Sequence, residues 1–253
     1  MRVDEWLVLN GFAPTRSQAK DLIRQGQVLL GGKPLSKAGA PMRPDSEIEV
    51  LETLRYVGRG ARKLVAALDA FAIDPAGKTA VDLGASTGGF TQVLLERGCH
   101  KVFAVDVGHG QLAPILSEDS RVVNMEGVNA RNPVDITEYC DLAVVDLSFI
   151  SLRLIWDTLK SLIGTEGEGV VLVKPQFEAG PGGVNRRGVV PVSASGRLVR
   201  DLLTWGAARG LYPWQILPSP VIGKKGNQEF LVHLRSRPAD IPLNRVLKGL
   251  IPK

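Results

Sequence analysis

The chain has 253 residues, 44% of them hydrophobic and 23% charged, with a formal net charge of +5. This balance excludes a disordered polyelectrolyte, and the length suits one large domain or a medium domain joined to a small module. No run approaches the ~18 apolar residues of a membrane span, and the opening Met1-Arg2-Val3-Asp4-Glu5 carries acids where a secretory or transit peptide has none, so a cytoplasmic protein without a membrane partner is expected.

The positive charge is uneven. Residues 1–63 hold eleven Lys and Arg against seven Asp and Glu, a net +4, whereas residues 64–253 hold twenty against nineteen, a net +1. This shift predicts a basic module over 1–55, a basic linker over 56–63, a larger domain over 64–237 and a short tail over 238–253. In the module, Thr15 and Gln18 have capping-box spacing and Gly26 supplies a left-handed stop, which predicts a helix of about ten residues between them. Ala19, Leu22 and Ile23 mark its core face. Arg16, Lys20 and Arg24 follow one another at four-residue steps along a separate stripe, either a phosphate grip or a solvated face. Val28-Leu29-Leu30, a Gly31-Gly32 turn and Glu47-Ile48-Glu49-Val50 then read as short strands, the first leading into a hairpin turn.

The run from Thr15 to Val28 resembles the S-four-type RNA-binding module, named after a ribosomal protein and shared with RNA-modifying enzymes. The resemblance implies that Arg16, Lys20 and Arg24 contact structured RNA.

From about Lys78, strand-like runs alternate with helical ones: Ala80–Leu83, Lys101–Val107, Arg121–Met125, Asp141–Leu147 and Val170–Lys174. That alternation predicts a parallel α/β sheet, and Trp214–Leu217 and Glu229–Leu234, with no helical stretch between them, should close it antiparallel. The first strand runs into Val81-Asp82-Leu83-Gly84-Ala85-Ser86-Thr87-Gly88-Gly89-Phe90-Thr91, a glycine-rich turn that opens a helix. Three nucleotide sites use such turns. A P-loop needs a lysine where Phe90 stands, and a dinucleotide fingerprint needs a central glycine that is absent between Gly84 and Gly88. The third reading, an S-adenosylmethionine site, uses more of the sequence: Asp82 would meet a ligand ammonium, and Asp106, ending the second strand, would accept from two ribose hydroxyls. A helix cap and a solvated strand end are the plainer roles for those two acids.

Lys174 ends a buried apolar strand at the carboxyl edge of the sheet, where a charge needs a partner. Asp146 ends the neighbouring strand run in the same way, and Lys63 and Glu229 could converge on them or the four could form structural ion pairs. These residues stand in the order of the Lys-Asp-Lys-Glu tetrad of FtsJ-like ribose 2′-O-methyltransferases. Gly60-Ala61-Arg62-Lys63-Leu64, Asp146-Leu147-Ser148-Phe149-Ile150-Ser151, Lys174-Pro175-Gln176-Phe177-Glu178 and Gly226-Asn227-Gln228-Glu229 resemble the TlyA, or hemolysin A, branch of that family. The resemblance implies a Rossmann-like methyltransferase fold, mostly parallel with an antiparallel last strand, behind an α+β RNA-binding module. It also implies a cofactor turn of Asp82, Gly84, Ser86, Thr87, Gly88, Gly89, Phe90 and Asp106, and methyl transfer from S-adenosylmethionine to a cytidine ribose in ribosomal RNA or ribosomal subunits. Lys174 would act as base, with Lys63 beside it, Asp146 orienting it and Glu229 holding Lys63 or the ribose.

The loop from Gly180 to Gly188 reads as flexible and basic, with Arg186 and Arg187 as RNA contacts or as ordinary surface. Asn129-Ala130-Arg131 would shape a pocket or form a plain polar loop. The family's inter-domain motif is altered to Arg55-Tyr56-Val57, and the short termini favour the large ribosomal subunit, with the small one as the alternative. The two cysteines, Cys99 and Cys140, and the three histidines, His100, His109 and His233, lack metal-ligand spacing, so reduced structural thiols and no metal are expected. The rival functions are a noncatalytic RNA-binding or assembly factor with this fold and a membrane-damaging hemolysin, for which no long amphipathic basic helix is visible.

Overall fold

The structure, a computed structural model, describes residues 1–13, 15–24, 26–42, 46–51, 56–180, 182–223 and 225–250. They divide into two compact units, Met1–Gly58 and Arg59–Lys253. Arg55 of the altered inter-domain motif lies outside the described residues.

The first unit comprises helices α1 (Val3–Leu9) and α2 (Arg16–Arg24) and strands β1 (Val28–Leu30), β2 (Lys33–Pro34) and β3 (Ile48–Val50), in the antiparallel order β2-β1-β3. The Gln18 amide donates to Thr15 Oγ1 at 3.3 Å, satisfying one of the unpaired N–H groups that every helix start presents. Gly31 and Gly32 have φ of +56° and +72°, the left-handed pair that a two-residue hairpin turn demands, and they set Leu30 opposite Lys33. Ala19, Leu22 and Ile23 pack with Val3, Leu7, Ala13 and Val28 to form the core of this unit.

The second unit begins with α3 (Ala61–Phe71), so Ala61 to Lys63 form the first helical turn rather than the end of a linker. Leu64, Ala67, Leu68 and Phe71 recur at helical spacing and are buried. There follow β4 (Thr79–Leu83), α4 (Gly89–Glu96), β5 (Lys101–Asp106), α5 (Pro114–Ser117), β6 (Val122–Glu126), β7 (Leu142–Val145), a 3₁₀ turn at Leu152–Ile155 and α6 (Trp156–Ile163). Next come β8 (Glu168–Val173), α7 (Pro175–Glu178), α8 (Val192–Ala207), β9 (Tyr212–Pro218), β10 (Phe230–Arg235) and α9 (Leu243–Val246). The seven strands lie in the order β6-β5-β4-β7-β8-β10-β9. Strands β6 to β8 form the parallel part, and β10 runs antiparallel to both β8 and β9. The final hairpin therefore inserts its second strand between β8 and its own first strand, and β9 points the same way as β8.

β7 and β8 are buried along their whole length, as their uninterrupted apolar runs require of central parallel strands covered on both faces. The chain leaves β4 for β5 and β6 on one side and returns to β7 on the other, so the switch point where open α/β sheets bind ligands lies between β4 and β7. The expected tail is part of the fold: Val246 and Leu247 are buried, and Leu247 belongs to the main core.

Candidate active site

Four of the expected residues meet at the carboxyl edge of the sheet. Asp146 is the first residue after β7, and Lys174 is the first after β8 and the cap of α7. Glu229 precedes β10, whose antiparallel course brings its start to the end of β8: Phe230 pairs with Val173. Lys63 enters from the first turn of α3. A cation there opposes the helix dipole, and two carboxylates offset it: Lys63 Nζ lies 2.8 Å from Glu229 Oε2 and 3.5 Å from Asp146 Oδ2. Lys174 Nζ lies 2.6 Å from Asp146 Oδ1, in a geometry that is not an aligned hydrogen bond, and donates to Ser148 Oγ at 2.8 Å. Lys63, Lys174 and Glu229 are buried, while Asp146 and Ser148 keep contact with solvent. The formal charges of two lysines and two acids cancel, so the cluster can sit in a protein interior only as a set: removing one member strands a buried charge.

The glycine-rich turn supplies the adjoining wall. Gly84, at φ +92°, packs so closely on the strand beside it that a Cβ would stand 2.9 Å from the Asp146 carbonyl oxygen, which ties the turn to the tetrad. Ser86 and Thr87 are exposed and Gly84 is half-buried. Gly88, Gly89 and Phe90 face inward. A Cβ on Gly88 would run into Leu112 and Leu116, Gly89 is buried, and Phe90 is buried against the Gly60 end of α3. These three shape the turn from beneath, because the close approach that glycine permits is here to protein rather than to open space.

Asp82 is fully buried, and Thr91 Oγ1 donates to its Oδ2 at 2.8 Å. Its other oxygen has no partner in the protein. Burial pushes its carboxyl up to about 7; the Thr91 hydrogen bond opposes the rise, and the charges of Asp146 and Asp106 add to it. Asp106 braces the turn: Ser86 N donates to Oδ2 at 2.9 Å and Gly108 N to Oδ1 at 2.7 Å, each oxygen keeping a further lone pair. Asp106, half-buried with a lone pair free on each oxygen, suits the hydroxyls of a ribose, and the orphaned Asp82 oxygen beneath the turn suits a hydrogen-bond donor such as an ammonium.

Several contributors lay outside the expected set. Glu126, at the end of β6, accepts from the amides of Gly110, Gln111 and Leu112 at 2.9, 2.6 and 3.0 Å, and those amides hold its carboxyl down to about 2. It thereby fixes the loop whose Gln111 is bonded to Ser86. Phe149 is 91% exposed at φ +66° and lies 5.3 Å, centroid to centroid, from Phe177. A left-handed phenylalanine costs on the order of 1 kcal/mol, which is usual only where surroundings or function hold it. The available signal was an offset: each phenylalanine stands three residues after a tetrad member at a strand end. Gln176 Oε1 is buried without a partner close to Lys174 in sequence.

The stripe on α2 divides. Arg16 pairs with Asp4 at 3.1 Å and Glu5 at 3.1 Å, joining α1 to α2, and Arg24 pairs with Asp21 at 3.0 Å. Lys20 has no carboxylate partner among the described residues. Arg186 and Arg187 are exposed. Asn129 Oδ1 accepts from the Arg131 amide at 3.0 Å in a local turn, with Ala130 in the core. Cys99 and Cys140 are buried, and burial pushes their thiols up to about 11 and about 12, which leaves no thiolate nucleophile.

Residues 56–236 match the family described as FtsJ-like methyltransferase, and residues 1–48 match the S4 domain. The chain is 43% identical over 241 residues, 93% of its length and 90% of the relative's, to the 16S/23S rRNA (cytidine-2′-O)-methyltransferase TlyA of Mycobacterium tuberculosis. It is 35% identical to the protein named Hemolysin A of Brachyspira hyodysenteriae, over 92% of this chain and 99% of that one. A solved structure from Streptococcus thermophilus that bears the name hemolysin superposes with a TM-score of 0.76 at 38% identity, covering 99% of this chain and 95% of the other. No helix among the described residues is long and apolar enough to cross a membrane. By the match over residues 56–236 and the identity to its relatives, the chain belongs to the FtsJ-like methyltransferase family and carries an S4 domain ahead of that fold.

Proposed function

We propose that the protein methylates the 2′-hydroxyl of a cytidine in ribosomal RNA, with S-adenosylmethionine as methyl donor and the Lys63–Asp146–Lys174–Glu229 cluster as its catalytic machinery. The observation that carries this reading is the chain of contacts Glu229–Lys63–Asp146–Lys174, at 2.8, 3.5 and 2.6 Å, beside the glycine-rich turn. When bound, the cofactor supplies an electrophilic methyl on a positively charged sulfur. A ribose hydroxyl is a poor nucleophile at neutral pH, so its proton must leave as the oxygen–carbon bond forms and the carbon–sulfur bond breaks. Lys174 takes that proton on the lone pair of Nζ, which Asp146 and Ser148 orient. Lys63, held by Glu229, keeps a positive charge near the developing alkoxide. Asp106 and the Ser86 region orient the cofactor's ribose, while the exposed Phe149, resting on Phe177, offers a face on which a nucleobase can stack.

The ribosomal target, and the cytidine within it, rest on the S4 domain and on the named activity of the Mycobacterium tuberculosis relative. On this reading the protein works in the cytoplasm, where ribosomes are. Incubating the protein with each ribosomal subunit and methyl-labelled S-adenosylmethionine, followed by alkaline hydrolysis, tests the whole reading. Label is expected in alkali-resistant dinucleotides that begin with cytidine. Label in ordinary mononucleotides would mean base methylation and would overturn it.

A further inference from the structure

The loop that carries Arg186 and Arg187 is anchored more firmly than its glycines suggest. Asn227 is buried, 4% exposed, and both ends of its carboxamide are used on that loop: Oδ1 accepts from Val190 N at 2.9 Å, and Nδ2 donates to Gly188 O at 2.9 Å. Within the loop, Asn185 Oδ1 accepts from the amides of Arg187 at 2.9 Å and Val189 at 3.0 Å, so the two arginines sit on a closed turn. Asn227 also belongs to the tetrad's support. It lies two residues before Glu229, and Gly223 packs against both, a Cβ there falling 2.8 Å from Glu229 Oε1 and 3.2 Å from Asn227 O. Lys225 lies over the same turn: a Cβ on Gly188 would stand 3.0 Å from its Nζ. Arg186, Arg187 and Lys225 are exposed, and none has a carboxylate partner among the described residues.

A buried amide that spends both its donor and its acceptor on one loop fixes that loop's height, because losing it would leave two buried backbone groups unpaired. Unpaired cations on a fixed turn are suited to phosphates. On the reading of the site given above, we propose that Asn227 is a positioning residue that pins a cationic rim of Arg186, Arg187 and Lys225 beside the Lys63–Glu229 pair, so that backbone phosphates flanking the target nucleoside are held in register with the tetrad.

Two variants of the full chain test this, with RNA affinity measured against salt on a ribosomal RNA fragment and cofactor affinity measured by calorimetry. The surface variant Arg186→Gln/Arg187→Gln/Lys225→Gln should bind RNA about tenfold more weakly at moderate salt. Its log–log salt slope should be shallower by about two, since each lost phosphate contact removes about 0.7 to 0.9. Asn227→Ala should weaken RNA binding several-fold with every cation still present and should speed tryptic cleavage after Arg186 and Arg187 about tenfold. Cofactor affinity should be unchanged in both. An unaltered affinity and slope in the surface variant overturns the rim; wild-type affinity and protease resistance in Asn227→Ala overturns the pin. Both readouts are independent of methyl transfer, so a failure of the proposed reaction would register separately.

Discussion

The pair of strands β8 and β10 ends in a charge cluster at each extremity, and the two clusters differ in kind. At the end where Glu168 pairs with Arg235, one carboxylate accepts from Lys78 Nζ at 2.8 Å, His233 Nε2 at 2.7 Å and Arg235 Nη2 at 2.9 Å. Burial alone would raise the Glu168 carboxyl; the hydrogen bonds from His233, Lys78 and Arg235 outweigh it and hold the group below the usual carboxylate range. At the other end, Asp146 is shared between two lysines, one contact is long and one is unaligned. Orphaned oxygens remain on Asp82 and Gln176. With both its oxygens engaged, Glu168 fastens the fold, and in that cluster only His233 Nδ1 is left without a partner among the described residues. A cluster with unmet hydrogen-bonding capacity, at the edge where ligands bind, is poised for groups that arrive from outside.

That contrast can be broken from either end. The largest effect is expected from Asp146→Asn, which leaves two lysines against one carboxylate: single-turnover methyl transfer should fall about a thousandfold, or ~4 kcal/mol in the barrier. Next in size is the pH response of Asp82. The folded protein keeps its proton up to about pH 7 whereas the unfolded chain releases it near 3.8, so stability should decline as pH rises across that interval and be flat above it. The full effect is roughly 4 kcal/mol. Thermal melts of Asp82→Asn should lack this decline and should gain on the wild type at pH 8.

Glu168 should behave in the opposite sense, because its folded carboxyl is depressed: its contribution is present above 4.5, the unfolded value, and is lost as pH falls. Glu168→Gln should cost about 3 kcal/mol at pH 7, read by denaturant melts, with the methylation rate per folded molecule unchanged. The smallest effect is that of Phe149→Ala. With a side chain 91% exposed, the melting temperature should not move, while KM for RNA should rise about tenfold.

Much of this architecture is legible in residue order because local rules decide it. The capping pair Thr15/Gln18, the Gly31-Gly32 turn and the continuous apolar runs of β7 and β8 each have one good local solution. Strand ends were also legible, and with them Asp146 and Lys174, since a charge closing a buried strand must emerge at the sheet edge. What stayed hidden depends on partners remote in sequence. Arg16 looks available until Asp4 and Glu5 of the preceding helix take it. That Leu112 and Leu116 pack on Gly88, and Gly60 on Phe90, is equally invisible in residue order. Lys63 reads as linker because basic Gly-Arg-Gly-Ala-Arg precedes it, although Leu64, Ala67, Leu68 and Phe71 already mark a helix. The insertion of β10 between β8 and β9 is a matter of register, which periodicity does not encode.

Lys174→Arg tests the central claim most directly. Arginine can keep the charge contact with Asp146 yet does not release its proton near neutral pH, so it preserves the cluster and removes the base. With S-adenosylmethionine affinity shown by calorimetry to match the wild type, single-turnover methyl transfer to ribosomal RNA should drop by a factor of about a thousand. Transfer at the wild-type rate by that variant would contradict Lys174 as the proton acceptor and, with it, the chemistry assigned to the four converging side chains.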